Sequence, residues 1–109
     1  MMQLSAKSCV PCEGGVAPLS AAKARRLRKE LHQDWHLAKD FKSLQRALKF
    51  KDFYRTMSFV NAIAFIANIE DHHPDLEIGY DYCRISYATH AIGGLSENDF
   101  ICAAKIDRL

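Results

Sequence analysis

The fold is decided by residues 72–90, which read HHPDLEIGYDYCRISYATH. Apolar and polar side chains alternate on both sides of Asp81-Tyr82, with Leu76, Ile78 and Tyr80 before this pair and Cys83, Ile85, Tyr87 and Thr89 after it. A period of two is typical of half-buried strands. We therefore predict an antiparallel hairpin that turns at Asp81-Tyr82 and returns His90 opposite His73.

The same stretch holds the side chains best suited to proton transfer. The chain has 5 histidines, and His72, His73 and His90 stand where the predicted hairpin opens. An imidazole has an ordinary pKa of about 6.5, so it gains or loses a proton near neutral pH. Each histidine alone has an ordinary explanation, such as a cation at a helix end, a loop residue or a strand end. Their predicted convergence favours acid–base catalysis.

A metal site is the second interpretation of this cluster, because three histidines can hold a catalytic zinc ion. Adjacent side chains in an extended segment point to opposite sides, which makes ligation by both His72 and His73 awkward. We therefore rank a metal-dependent hydrolase below direct acid–base chemistry.

The remaining pattern predicts three helices and two more strands. In chain order these are a helix over Ala21–His32 capped by Ser20, strands over Trp35–Lys39 and Leu44–Phe50, a helix from the Asp52 cap to about Glu70, and a last helix that starts at Ser96. Ser96-Glu97-Asn98-Asp99 resembles a capping box with Asp at its last position. The order α-β-β-α-β-β-α predicts an α+β domain with an antiparallel sheet covered by helices on one side.

Length and composition fit one globular domain. The chain has 109 residues, of which 49% are hydrophobic, and a formal net charge of +2. This charge gives no strong field for nucleic acid or for a membrane surface, and neither is expected as a partner. No apolar run reaches the ~18–20 residues that span a bilayer, and the first residues lack the apolar core of a signal peptide. We expect a cytoplasmic protein with reduced thiols.

Residues 1–18 are predicted to form a flexible tail, and residues 19–109 a single domain. The tail is rich in glycine and proline and shows no periodicity. It carries Cys9-Val10-Pro11-Cys12, a spacing that can bind zinc or carry out redox chemistry. No second pair at zinc-site spacing and no βαβ pattern accompanies it. Two reduced thiols are therefore favoured, with a labile metal clip as the alternative.

The chemistry-bearing residues form a spaced pattern that resembles a known family. His72-His73-Pro74, Tyr80, His90 and Asp99 are similar to the signature of the pterin-4a-carbinolamine dehydratases, also known as the dimerisation cofactor of a homeodomain transcription factor. The resemblance extends upstream through Phe50-Lys51-Asp52-Phe53 and Trp35, and covers roughly residues 20–109. The cysteine-bearing tail is similar to the bacterial branch of the family.

This resemblance implies a fold, an assembly and an activity. The fold would be a four-stranded antiparallel sheet with helices packed on one face, in a homodimer or homotetramer. The reaction would be dehydration of 4a-hydroxytetrahydrobiopterin to quinonoid dihydropterin, without metal or cofactor. It serves tetrahydrobiopterin recycling and gives a functional link to an aromatic amino acid hydroxylase. The alternative implied by the second family name is a non-enzymatic binding module that dimerises a partner and acts as a transcriptional coactivator.

The resemblance also implies roles for individual residues. His72 and His90 would be the acid and base pair, in an order left open, and His73 would bind and orient the departing hydroxyl. Asp99 would orient the pocket from a helix N-terminus. The family often has an ionisable residue four positions before the first histidine, where this chain has Asn68. We expect activity to be retained, with the rate or the pH optimum open to change.

Overall fold

Four strands and three helices are found in the part of the chain that the structure describes. The computed structural model describes residues 3–11, 14 and 16–109. The elements are α1 (Ala21–Arg28), β1 (His36–Leu37), β2 (Leu44–Lys49), α2 (Phe53–Glu70), β3 (Asp75–Ile78), β4 (Tyr82–Tyr87) and α3 (Glu97–Ile106), with short 3-10 turns at Leu4–Ala6 and His90–Ile92. The strands form one antiparallel sheet in the order β1-β2-β4-β3. The predicted α+β class and the order α-β-β-α-β-β-α are confirmed.

The hairpin of β3 and β4 has the predicted direction and a shifted turn. Ile78 pairs with Cys83, and the Gly79 amide donates to the Tyr82 carbonyl at 3.0 Å. The turn residues are therefore 80 and 81, one position earlier than predicted. Continued outward, this register sets position 73 beside 88 instead of 90, so that detail of the prediction is wrong. The error is two residues, which keeps every side chain on its predicted face.

Helix α2 crosses the sheet and is anchored at its first turn. The Asp52 carboxylate accepts the Arg55 amide at 2.9 Å, which confirms the predicted cap. The Thr56 hydroxyl, fully buried, lies 2.9 Å from the Asp52 carbonyl and 3.0 Å from the Tyr80 carbonyl. Val60, Ile63 and Ala67 continue the buried stripe at helical spacing. The helix is thereby fixed against the closed end of the hairpin.

Two predicted elements at the start of the domain are shorter than expected. Helix α1 ends at Arg28 instead of His32, and β1 covers only His36–Leu37 instead of Trp35–Lys39. Between the two elements, the Asp107 carboxylate accepts the His32 amide at 2.9 Å and the Trp35 indole N–H at 2.8 Å. These bonds, from a residue more than 70 positions away, hold residues 32–35 in a turn.

The described N-terminal residues pack on the domain. Leu4 is 4% exposed and belongs to the core. The Lys105 ammonium donates to the Ser5 carbonyl at 2.9 Å, and the Cys9 amide donates to Glu70 Oε1 at 2.8 Å. Residues 3–11 of the predicted flexible tail thus contact α2 and α3, and these partners leave no local signal in the sequence. Cys12, and with it the CxxC alternatives, lies outside the described residues; the boundary at residue 19 stays a prediction.

Within the part of the chain that the structure describes, no helix combines the length and apolar character that crossing a membrane requires.

The packing of the N-terminal segment can be tested with a matched pair of truncations. Leu4→Ala removes a buried side chain, so we expect the free energy of unfolding to fall by about 2–3 kcal/mol. Val16→Ala in the same segment removes a side chain that is 59% exposed, and we expect a change within about 0.5 kcal/mol. Urea denaturation measures both. Equal effects would contradict the packing of residues 3–11 on the core.

Candidate active site

The end of α2 places His72. Asp71 adopts the left-handed conformation, with φ 51° and ψ 43°, and the His72 amide donates to the Ala67 carbonyl at 3.1 Å. Such a closing turn satisfies the last carbonyls of a helix and reverses the chain direction. Pro74 then prevents the helix from continuing. His72 is thus held firmly just past the helix, while His73 begins the approach to β3.

His72 is paired with a carboxylate from α3. Its Nε2 lies 2.6 Å from Asp99 Oδ1, and the side chains of His72 and Asp99 are 12% and 0% exposed. This distance is typical of a charge-assisted hydrogen bond. On its other side, the imidazole stacks on the Tyr87 ring at 5.7 Å between centroids with 7° between planes. The ring is therefore fixed in both position and tilt.

Asp99 is held by two more donors. Its Oδ2 accepts the Ser96 amide at 3.0 Å and the Thr89 hydroxyl at 2.8 Å. Because the Thr89 proton points to Asp99, the Ser96 hydroxyl must donate to Thr89 Oγ1, 2.7 Å away. The predicted capping relation between Ser96 and Asp99 is present, and it does more than cap a helix. It aims a fully buried carboxylate at His72.

These contacts shift the acidity of His72. Burial lowers the pKa of the imidazole, since it disfavours the charged form. The hydrogen bond to Asp99 and the negative charge of that carboxylate raise the pKa, and together they prevail over burial. The pKa of His72 therefore lies above its ordinary value of 6.5. The protonated form of His72 is stabilised in the folded protein.

The three histidines of the sequence analysis line one cavity of about 580 Å³. His73 and His90 are exposed to it, and His73 Nε2 lies 3.1 Å from Asn68 Oδ1. His90 opens the 3-10 turn His90–Ile92 instead of ending a strand, because the bridge between Thr89 and Gly94 turns the chain back. The arrangement offers one partly buried, carboxylate-held imidazole and two exposed ones around one small-molecule space.

Asn68 contacts His73 and not His72. It lies four positions before His72 in the sequence, where the resembled family often has an ionisable residue. The structure pairs Asn68 with His73, and the carboxylate beside His72 comes from Asp99. The end of α2 at Glu70 explains this pairing, because His72 lies beyond the helix and does not follow its spacing. The effect of Asn68 on rate or pH optimum stays open.

One residue of the signature, Tyr80, lies away from the cavity, and several residues outside the signature line it. Tyr80 is 66% exposed in the hairpin turn, stacked on Phe53, and does not line the cavity. Sequence reasoning missed the cavity wall formed by residues 9–11 and the contribution of Asn98. The wall residues stand more than 60 positions before the first site histidine, and no local pattern connects the two.

A metal centre receives no support from the side chains that the structure describes. Among them, no group of three or more His, Cys, Asp or Glu residues has an arrangement that could hold a metal ion. The described donor set is instead one histidine–carboxylate pair with two separate imidazoles.

Comparison with known proteins decides the family. Residues 17–109 match the family described as pterin 4 alpha carbinolamine dehydratase. The chain belongs to the pterin-4-alpha-carbinolamine dehydratase family. A relative from Nitrosomonas europaea, which carries that enzyme name provisionally, is 58% identical over 97% of this chain and 92% of its own length. A relative from Legionella pneumophila (strain Corby), named in the same provisional way, is 56% identical over 97% of this chain and 94% of its own length.

Two solved structures resemble this dehydratase-family chain. A transcriptional coactivator/pterin dehydratase from Brucella melitensis superposes with a TM-score of 0.78 at 27% identity, covering 84% of this chain and 96% of that one. A pterin dehydratase-like protein identified as a RuBisCO assembly factor in the α-carboxysome gives a TM-score of 0.61 at 22% identity, covering 71% and 89%. The second likeness concerns the fold alone.

The Asp99 contact predicts the titration of His72. In the wild-type protein we expect an NMR titration midpoint for the His72 ring above about 6.5. In Asp99→Asn the midpoint should fall below that value, because burial then acts without the carboxylate.

Asp71→Asn is the matched control for this titration. It also removes one carboxylate near His72, at an exposed position where Asn tolerates the left-handed backbone. We expect a much smaller downward change, since Asp71 makes the smallest of the contributions to His72. Equal shifts in the two variants would contradict the assignment to Asp99.

Proposed function

We propose that this protein is a 4a-hydroxytetrahydrobiopterin dehydratase, a hydro-lyase that eliminates water by histidine acid–base catalysis without a cofactor. The observation that supports this most is the meeting of His72, His73 and His90 around one cavity, with His72 held by a buried carboxylate. Family membership supports a pterin as the substrate class. A role in tetrahydrobiopterin recycling and a functional link to an aromatic amino acid hydroxylase are part of the proposal.

The reaction needs two proton transfers. One proton is delivered to the 4a-hydroxyl, so that the C–O bond breaks and its electron pair leaves with water. Another is removed from a ring nitrogen, whose electron pair forms the new C=N bond. A pair of imidazoles in opposite protonation states supplies both transfers.

We assign the acid role to His72 and the base role to His90. Asp99 stabilises the protonated form of His72, which is the form that an acid must hold before it donates. Since Nε2 of His72 is engaged with Asp99, Nδ1 is the nitrogen left to serve the substrate. His90 is exposed and lines the same cavity. It is therefore available to receive the ring proton. His73 binds and orients the hydroxyl.

The cavity suits a small bicyclic ligand. Its volume of about 580 Å³ lies within the ~300–1,000 Å³ of ordinary small-molecule sites. Ile69, which is 63% exposed, adds an apolar surface to the polar wall. A flat heteroaromatic ring can lie on such a side chain while its polar edge meets the histidines.

Substitution of the histidines tests the proposed function directly. We expect His72→Gln and His90→Gln each to lower kcat by about 10²–10⁴-fold, the usual range for one positioned proton-transfer group. His36→Gln makes the same change at an exposed histidine on β1, outside the cavity, and should stay within about twofold of wild type. Stopped-flow decay of the 4a-carbinolamine is the measurement.

The same assay separates the alternatives. Wild-type protein that does not accelerate the decay over buffer would reject the dehydratase. Acceleration abolished by a chelator would favour the metal-dependent hydrolase.

A homo-oligomer is the second part of the proposal. Tyr54, Phe65 and Ile69 share one face of α2 and are 85%, 67% and 63% exposed. Large apolar side chains at this spacing on one helix face are typical of a surface that packs against another chain. The same face would serve the alternative function, a non-enzymatic dimerisation module acting as a coactivator, and the name of the Brucella melitensis relative combines both functions.

A charge on this α2 face should reduce the molecular mass in solution. We expect Phe65→Lys to move the protein to a smaller species in sedimentation equilibrium. Val16→Lys alters a similarly exposed apolar residue outside α2 and should leave the mass unchanged. A wild-type monomer, or a Phe65→Lys oligomer of wild-type size, would contradict the assignment of this face.

A further inference from the structure

Two cysteines far apart in sequence meet beside the site cavity. Cys9 Sγ lies 3.5 Å from Cys102 Sγ, across 93 positions of the chain. Both are free thiols. Cys102 is fully buried in α3, whereas Cys9 is partly exposed and lines the cavity that holds the three histidines. The acid–base reaction uses neither sulfur.

The backbone around Cys9 is already held in place. Its amide donates to Glu70 Oε1 at 2.8 Å. The next residue, Val10, exchanges two bonds with the Asn98 side chain, one of 3.1 Å from the Val10 amide and one of 2.6 Å to its carbonyl. These contacts tie the segment to α2 and to the first turn of α3. The two sulfurs are therefore kept together by structure that does not depend on a bond between them.

We propose that Cys9 and Cys102 are a redox-sensitive pair that hydrogen peroxide oxidises to a disulfide, which fixes the N-terminal segment to α3 as a wall of the site cavity. The inference rests on the contact of the two sulfurs and on the position of Cys9 at the cavity, and it does not depend on the dehydratase activity.

The environment favours a thiolate in this pair. The hydrogen bond from Cys9 lowers the pKa of the Cys102 thiol; burial opposes this effect and the nearby His72 adds to it. The same bond to Cys102 raises the pKa of Cys9. Cys102 is therefore the sulfur that ionises more readily, while Cys9 tends to keep its proton. A thiolate is the nucleophile in both steps of disulfide formation.

The chemistry balances with peroxide as the two-electron oxidant. Cys9, the sulfur that lines the cavity, meets peroxide there. It gives up its proton and attacks a peroxide oxygen; the O–O bond breaks, and the departing hydroxide takes up that proton as water. Cys9 is then a sulfenic acid. Cys102 in turn gives up its proton, its thiolate attacks the Cys9 sulfur, the S–O bond breaks, and the oxygen leaves with that proton as water. In sum, two thiols and one hydrogen peroxide give one disulfide and two waters.

Peptide mapping tests the proposal. Wild-type protein is treated with hydrogen peroxide, remaining thiols are alkylated, and the protein is digested with trypsin without reductant. Cleavage after Lys7, Lys23, Arg84 and Lys105 separates residues 8–23 from residues 85–105. We expect these two peptides to be linked, and the link to disappear after treatment with dithiothreitol.

Matched variants identify the sulfurs, because residues 8–23 contain both Cys9 and Cys12. The link should persist in Cys12→Ser and in Cys83→Ser, and should be lost in Cys9→Ser, whose partly exposed side chain makes it a mild change. A bond found only within residues 8–23, a link that survives in Cys9→Ser, or Cys102 alkylated to completion after peroxide would overturn the proposal.

The effect on the cavity wall has its own readout. In the oxidised protein, hydrogen exchange at the Cys9 and Val10 amides should slow by at least about tenfold. Exchange requires the N-terminal segment to open locally, and the disulfide to Cys102 would hold that segment against α3. The thermal midpoint should rise by about 5 °C or more. Unchanged exchange and an unchanged midpoint in fully linked protein would show that the bond does not fix the wall.

Discussion

The buried carboxylate of Asp99 is the constraint on which the site depends. It is fully excluded from solvent, yet it bonds to His72, to Thr89 and to the Ser96 amide. These partners come from the end of α2, the segment after β4 and the start of α3. A carboxylate so deeply buried costs several kcal/mol unless its oxygens are satisfied. The three segments must therefore meet at this point for the fold to be stable.

This requirement connects folding with chemistry. The sheet brings the segment after β4 back to the end of α2, through the antiparallel pairing of β3 with β4. Helix α3 then begins after its Ser96 cap, and Asp99 is the third residue of the helix. The imidazole of His72 completes the hydrogen bonds of the carboxylate, and the carboxylate in turn orients the imidazole. The packed pair of His72 and Asp99 thus follows from the ordinary satisfaction of buried polar groups.

Local patterns in the sequence predict most of the fold and part of the site. The long helix α2, the strands β2 and β4, and the cap at Ser96 each carry their signal within a few residues, and all four are present. The hairpin turn was misplaced by one residue because both Tyr80-Asp81 and Asp81-Tyr82 fit the alternation. The turn over residues 32–35 and the packing of Leu4 could not be predicted, since they depend on Asp107 and on α3 at the far end of the chain. The contact between Cys9 and Cys102 could not be predicted for the same reason, because the two residues lie 93 positions apart.

The pairing of His72 with Asp99 also determines how the free energy of unfolding and the protonation of His72 change with pH. The pKa of His72 is raised in the folded state, so the pair adds stability that is fully present below the unfolded pKa of about 6.5. That contribution is lost as the pH rises through the higher folded pKa, because the folded and unfolded states then both hold a neutral ring. Up to that folded value His72 also keeps the proton that an acid must donate. The contact that stabilises the join of α2 and α3 is thus the contact that raises the pKa of His72 and favours its protonated form, and removing it would weaken both the fold and the proposed acid.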